Sequence, residues 1–596
     1  MILTALSHYY ERLVETEEEV PLYGFSRENI SFALVLGEEG ELVDIQDLRD
    51  LTGKKPRPGR LTVPQSFKRS GTKAPPFFLW DKTSFLLGVK GDQNAEQGFR
   101  VVDRDHKAFR EFHQEVLGDS DDKALQAVLA FLDSWTPQQF NEPPFSGNPD
   151  ILDANLVFRL AGERAYVHQH QAAHSIWTRL LNEDVEQVRC LVTGAVGPLA
   201  RLHPLIKGVQ NAQSSGASIV SFNLSAFTSY GHSQGANAPV SKQAAFAYTT
   251  ALNHLLRYSS DNHQRLRIGD TTAVFWAEAE NRQEAEAAES LYAMLMEPPD
   301  DAQEADKLGS VLEQAAQGRP LEQIDPRLDE STRFYVLGLA PNASRLAVRF
   351  WYADTLGELA GNLARHFQDL TLDPQPWRTP PAVWRLLYET AARRDAKNIS
   401  PNLAGELMRA VISGRPYPRS LLSTVIMRMR ADGDINGLRA ALCKACLNRD
   451  HRLGIGNIHK EVPMSLDLDE TAPGYRLGRL FAVLEKVQSD ALGSVNAGIA
   501  DRFYAAASAT PASIFAMLLN KTKSHLGAVR RKKGEGLARH LEGQIGEIID
   551  GLDPDLPRSL PLEEQGRFAV GYYHQRQALY RKAKPSDQVE SEEATE

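Results

Sequence analysis

Residues 218–256 read SIVSFNLSAFTSYGHSQGANAPVSKQAAFAYTTALNHLL, and two incompatible structures compete for them. Gly231-His232-Ser233-Gln234-Gly235 spells G-x-S-x-G, the nucleophile elbow of an α/β hydrolase, which needs a buried strand ending at the serine and a helix starting after it. Leu224–Tyr230 is instead polar and aromatic, and Pro239 arrives six residues after Ser233. A proline there removes an N–H and clashes with the preceding turn, so an elbow helix would break. No HGGG-type oxyanion segment precedes the serine. The stretch therefore reads as a strand over Ser218–Phe222, an Asn/Gln-rich loop over 223–240, and a helix Lys242–Arg257 with Ser241 as its N-cap.

Working outward, the N-terminus MILTALSHYYERL has helical spacing and no basic leader, so an amphipathic helix is expected rather than a signal peptide. Ile30–Leu36 and Glu41–Ile45 flank Gly-Glu-Glu-Gly as a hairpin. Phe77–Trp80 and Ser84–Val89 read as short strands, Asp121–Asp133 as a helix and Val185–Val192 as a strand. Thr271–Glu278 is a strand, and the acidic stretch 278–307 a peripheral helical excursion. Thr332–Leu339 and Ser344–Trp351 form a strand pair followed by a helix to Phe367. Beyond Pro376 helical periodicity takes over. The expected class is α+β: a mixed α/β portion 1–375 with short strands and long loops, a helical connecting region 376–463, an all-α bundle 464–585 and a disordered acidic tail 586–596.

With 596 residues, several domains are expected. Three cysteines suit a reducing cytoplasm, and no run approaches the ~18 apolar residues of a membrane span. The net charge of −10 hides segregation. Leu51–Trp80 has no acid but carries Lys54, Lys55, Arg57, Arg60, Lys68, Arg69 and Lys73. Arg502–Gly534 has no acid and carries Arg502, Lys521, Lys523, Arg530, Arg531, Lys532 and Lys533. Local potential rather than net charge draws a polyanion to a surface.

Catalytic patterns are weak. Cys443-Lys444-Ala445-Cys446 has no second C-x-x-C to complete a zinc site and reads as buried helix cysteines. His168, His170 and His174 lack a carboxylate in an H-E-x-x-H frame, and Gly454-Ile455-Gly456 lacks its third glycine. There is no phosphate-binding P-loop and no paired-carboxylate cluster of a two-metal nuclease. No enzyme activity, metal or cofactor is expected. Binding chemistry remains. In the basic loop 53–76, Lys68, Arg69 and Lys73 suit phosphates, with Ser70 and Thr72 beside them for backbone oxygens. In the second loop, the amides of Asn223, Gln234 and Asn237 with Tyr230 suit base edges.

SFNLSAFTSYGHSQGANAPVSKQAAFAYTTALNHLL, the opening MILTALSHYYERL, KRSGTKAPPFFLWDKTSFLLG, FYVLGLAPNASRLAVRFWY, SGRPYPRSLL and YRLGRLFAVLEKVQSDAL together resemble the large subunit of the type I-C CRISPR-associated Cascade surveillance complex. The likeness runs in order along nearly the whole chain. Lys82 departs from it, standing where asparagine is expected.

The resemblance implies a non-catalytic DNA- and RNA-associated subunit of a crRNA-guided ribonucleoprotein, assembled with backbone subunits. Such a subunit recognises the protospacer-adjacent motif in duplex DNA, supports R-loop formation and helps recruit a separate helicase-nuclease for antiviral defence. It also implies small subunits made from the same gene, for which Met464 is the candidate start. A serine hydrolase at Gly231–Gly235 and a guide-RNA-binding scaffold are the alternatives.

Overall fold

A computed structural model describes residues 1–581 except 17–19, 53–55, 67–74, 96, 147, 183–184, 298–309, 311–313, 315–316, 318, 379, 457–459 and 494–496. The fold is α+β, with small sheets in the N-terminal half and helices towards the C-terminus. Two compact units divide the chain: Met1–Pro204 with Val220–His254, and Leu205–Ile219 with Leu255–Glu596.

The first unit is built on a four-stranded sheet in the order Leu42–Asp47, Phe32–Leu36, Asn155–Leu160, Trp80–Lys82. The first two form the expected hairpin, pairing Phe32 with Asp47, while Phe32–Leu36 runs parallel to Asn155–Leu160. Every residue of Phe32–Leu36 (FALVL) is buried, as a central strand covered on both faces requires. Helix Lys123–Ser134, capped by Asp122 accepting from Leu125 N at 3.0 Å, supplies Leu125, Val128, Phe131 and Leu132 to the same core. The N-terminal helix Ile2–Glu15 buries Leu6, Tyr9, Tyr10 and Leu13, and Tyr10 meets Phe246 edge-on at 5.8 Å.

Three strand expectations fail here. Phe77–Trp80 is extended only from Trp80, which opens the strand Trp80–Lys82, because Leu79 before it sits at φ +60°. Ser84–Val89 opens as a helical turn, Thr83–Leu86, because Gly88 with φ +69° ends the turn and only Val89–Gly91 is extended. Between Val185 and Val192 only Gln187–Arg189 is a strand, paired with Val196–Pro198.

The second unit carries an antiparallel meander, Arg265–Ile268, Thr271–Glu278, Arg333–Asn342, Arg345–Thr355. Phe275, Phe334, Val336 and Phe350 face the helical core, while Trp276, Tyr335 and Trp351 stack across the other face at 5.1 and 5.6 Å. Ser218–Phe222 does not form the expected strand. Ser218 alone bridges to Arg345, and Ile219–Phe222 are bends and coil that add no ladder, although three of the four are apolar.

Helix Arg282–Met296 corrects the peripheral reading of the acidic stretch. It buries Ala288, Leu291, Tyr292 and Leu295, with Tyr292 4.7 Å from Phe275. Acids at helical spacing occupy only its outer face. Residues 298–307 and the tail 586–596 lie outside the described residues.

After Thr355 the regular elements among the described residues are helices. Helices Pro473–Leu492 and Leu562–Tyr580 cross through glycines: a Cβ on Gly478 would stand 2.1 Å from Phe568 O, and one on Gly571 2.2 Å from Tyr475 O. Cys443 and Cys446 lie buried in helix Gly437–Arg452 as expected, and burial pushes the Cys443 thiol up to about 12. His168 is buried with Nε2 3.0 Å from Thr62 O, and His170 lies between Glu163 and Asp122 at 3.0 and 3.6 Å. Among the described residues no cluster of three or more such side chains could hold a metal, and no helix is long and apolar enough to cross a membrane.

Candidate nucleic-acid interface

The Asn/Gln loop belongs to the first unit, and its shape follows from a few backbone constraints. Ser229 and His232 form a bridge around Tyr230-Gly231, whose φ values are +50° and +79°. Two consecutive positive φ angles mark the primed two-residue turn that matches strand twist, where asparagine or glycine is usual. Tyrosine in the first position is strained, and its ring is 98% exposed. Gln234, also exposed, has φ +48° and opens the short 3₁₀ turn Gln234–Asn237.

Asn237 holds this geometry. Its Oδ1 accepts from Ser229 N at 2.9 Å, and its Nδ2 donates to His232 O at 3.1 Å and Gln234 O at 2.9 Å. Both ends of the amide are thus turned into the loop. Asn223 is exposed at the start of the loop.

The base of the loop is pressed against Ala200-Arg201. Gly235 N donates to Arg201 O at 3.1 Å, and a Cβ on Gly235 would lie 2.2 Å from Ala200 O. Arg201 reaches Ser233 Oγ at 3.4 Å and pairs with Glu186 at 3.3 Å. Ser241 caps the helix Lys242–Leu255 as expected, its Oγ accepting from Ala244 N at 3.3 Å, while its N–H donates to Cys190 Sγ. Ser233 is therefore preceded by a turn and followed by one 3₁₀ turn. The strand-to-helix geometry of an elbow is absent from it.

Lys68, Arg69, Ser70, Thr72 and Lys73 lie outside the described residues, as do Lys54 and Lys55. The flanks of that segment are well defined. Trp80 Nε1 donates to Pro64 O at 2.8 Å, and Phe77 stacks on Trp80 at 4.7 Å. Phe77 N donates to the buried carboxylate of Asp81 at 2.9 Å. Strand Gly59–Pro64 and the residues from Phe77 are clamped together, so the chain between them leaves and returns at one place. A cavity of about 580 Å³ lies beside it, lined by Gln65, Ser66, Trp177, Ala200, Arg201 and Lys242 among others. Gln65-Ser66, at one flank of the basic loop, and Ala200-Arg201, against which Gly235 of the Asn/Gln loop is pressed, therefore line one cleft of the first unit. Arg201, which joins that cleft to the hairpin, carries no local sequence signal; only the pairing of Ala200-Arg201 with Gly235 reveals it.

The other basic island lies in the second unit, with Arg502 in helix Ile499–Ala509 and the remaining six cations in helix Pro511–Lys533. Arg530 is neutralised by Glu535 and Glu542, both at 2.9 Å, and Lys532 donates to Ala491 O at 2.7 Å. Lys521 lies over the Phe503 ring at 5.3 Å. Lys523, Arg531 and Lys533 are exposed with no carboxylate partner among the described residues. Four cations in the last turn also complement the helix dipole, a structural gain that needs no ligand.

The chain matches the family described as CRISPR-associated protein (Cas_Csd1) over residues 6–580. No curated protein matches the chain.

Proposed function

The chain belongs to the Cas_Csd1 family of CRISPR-associated proteins, and from that membership we propose that it is the non-catalytic large subunit of a crRNA-guided type I-C Cascade complex. In this reading it recognises the protospacer-adjacent motif of target double-stranded DNA and leaves the remaining sequence to guide pairing. The observation that carries the proposal is the Tyr230–Gln234 hairpin, strained, exposed and rooted beside the clamped ends of a basic loop. Backbone strain is kept where a site over-determines it.

The hairpin contacts base edges through Gln234 and packs Tyr230 against the groove wall, while Lys68, Arg69, Ser70, Thr72 and Lys73 hold phosphates. Asn237 acts through loop shape. Exposed Lys523, Arg531 and Lys533 steady an unpaired strand or guide RNA during R-loop formation. The remaining partners are the backbone subunits, small subunits started at Met464, and a helicase-nuclease recruited in trans.

A photocrosslinking experiment tests this reading. A duplex bearing a photoreactive base within the adjacent motif, bound to the complex assembled with guide RNA and backbone subunits, should label residues 223–240. Labelling confined to other subunits contradicts it.

A further inference from the structure

We propose that Trp384, Arg393 and Lys397 of the second unit form a separate contact for an unpaired nucleic-acid strand. The starting observation is a backbone outlier. Arg393 and Arg394 both lie in the left-handed region, with φ +58° and +50°. Two adjacent non-glycine residues there are costly, and they persist only where surrounding bonds impose them.

Those bonds are present. Arg394 reaches Glu389 with Nε at 3.0 Å and also pairs with Asp434. Buried Arg439 holds Glu389 at 3.1 Å and Asp432 at 2.7 Å, and Asn436 Nδ2 donates to Glu389 at 3.0 Å. Asn398 Nδ2 closes the loop onto Ala392 O at 3.0 Å, and the Asp395 carboxylate accepts from Lys397 N at 3.0 Å.

The effect is to spend the local acids on Arg394, Arg439 and backbone N–H groups. Arg385, Arg393 and Lys397 stay exposed with no carboxylate partner among the described residues. Turn follows turn from Leu387 to Ile399, so the backbone that carries Arg393 and Lys397 leaves helix Val383–Tyr388 as a compact run rather than an extended one. That helix presents Trp384, 44% exposed, braced edge-on by Tyr388 at 5.5 Å.

Exposed cations on a backbone held in place, following a helix that presents an exposed indole, fit a strand with accessible phosphates and an unstacked base. They do not fit a duplex, whose bases have no free face. The inference goes beyond the motif-reading hairpin, because it concerns another unit and needs no duplex.

The test uses the full chain and fluorescein-labelled oligothymidylate, oligouridylate and duplex DNA of about 20 nucleotides, well above the site size of one such patch. Arg393→Gly relieves the positive φ and should leave the melting temperature at or above that of the parent. Combined with Lys397→Ala it should weaken strand binding about fivefold or more and lower the salt slope by roughly 1.4, two phosphate contacts' worth. Trp384→Ala should cost at least about fivefold in affinity, and an oligonucleotide carrying 5-iodouracil should crosslink to the peptide containing Trp384. Loss confined to the thymidylate identifies a DNA strand, and loss confined to the uridylate an RNA strand. Parent-like binding by these variants, or an equal loss on duplex, overturns the proposal. Either result leaves the hairpin reading untouched, since motif discrimination is measured on other residues.

Discussion

Asn237 shows how a residue chosen for its chemistry can serve by its geometry. Its amide suits adenine edges, yet all three of its hydrogen bonds go to Ser229, His232 and Gln234. Asn237→Ala should therefore lower loop order and motif discrimination together, whereas Gln234→Ala should lower discrimination by about 1–3 kcal/mol with the melting temperature unchanged. Equal melting and equal discrimination for both variants would contradict this division of labour. Gly235 gives a sharper geometric case. Gly235→Ala drives a Cβ against Ala200 O, so it should cost roughly 1–3 kcal/mol of stability, read from denaturant unfolding. The sequence marked this loop because Pro239 forbids an elbow helix and Ser241 caps the next one, both local rules. It could not show that Asn237 folds inward, because that depends on the positive φ values at Tyr230, Gly231 and Gln234.

Elements were legible where one period dominated. Thr271–Glu278 follows its boundaries as read, and the hairpin before helix Leu356–Leu370 was plain from β-branched strands flanking Ala340-Pro341-Asn342. Acidic composition misled for Arg282–Met296, since counting charges hides the Leu291, Tyr292 and Leu295 stripe that meets the sheet. The basic helix Pro511–Lys533 needs a similar division. Counting its six cations treats them alike, but Arg530 and Lys532 are held within the fold. Replacing Lys523, Arg531 and Lys533 together by alanine should lower the salt slope for single-stranded binding by about 2. Arg530→Ala should leave that slope alone and cost under about 1 kcal/mol of stability, because its pairs are exposed. A slope that moves equally for both would show that the free and paired cations are not distinct.

Across the whole molecule, the α+β class and the passage to helices were legible from periodicity, whereas the division into two units was not. Leu205–Ile219 joins the second unit and Val220–His254 the first, a grouping set by long-range contacts that no local pattern encodes. Stability should also carry a pH signature. Burial pushes His113, His168 and His203 down to about 4, so each stays neutral in the fold while the unfolded chain takes up its proton near pH 6.5. Their contribution is complete above pH 6.5 and is lost as pH falls towards 4; melting temperatures that are flat over that range would contradict it. The protein's proposed role is to read the adjacent motif. It is tested most directly by the ratio of affinities of the assembled complex for target duplexes with the correct and the scrambled adjacent motif, measured for the parent and for Tyr230→Ala with Gln234→Ala. The ratio should collapse towards one while affinity for the scrambled duplex, set by phosphates, changes less than about twofold. A ratio that survives the double substitution would contradict it.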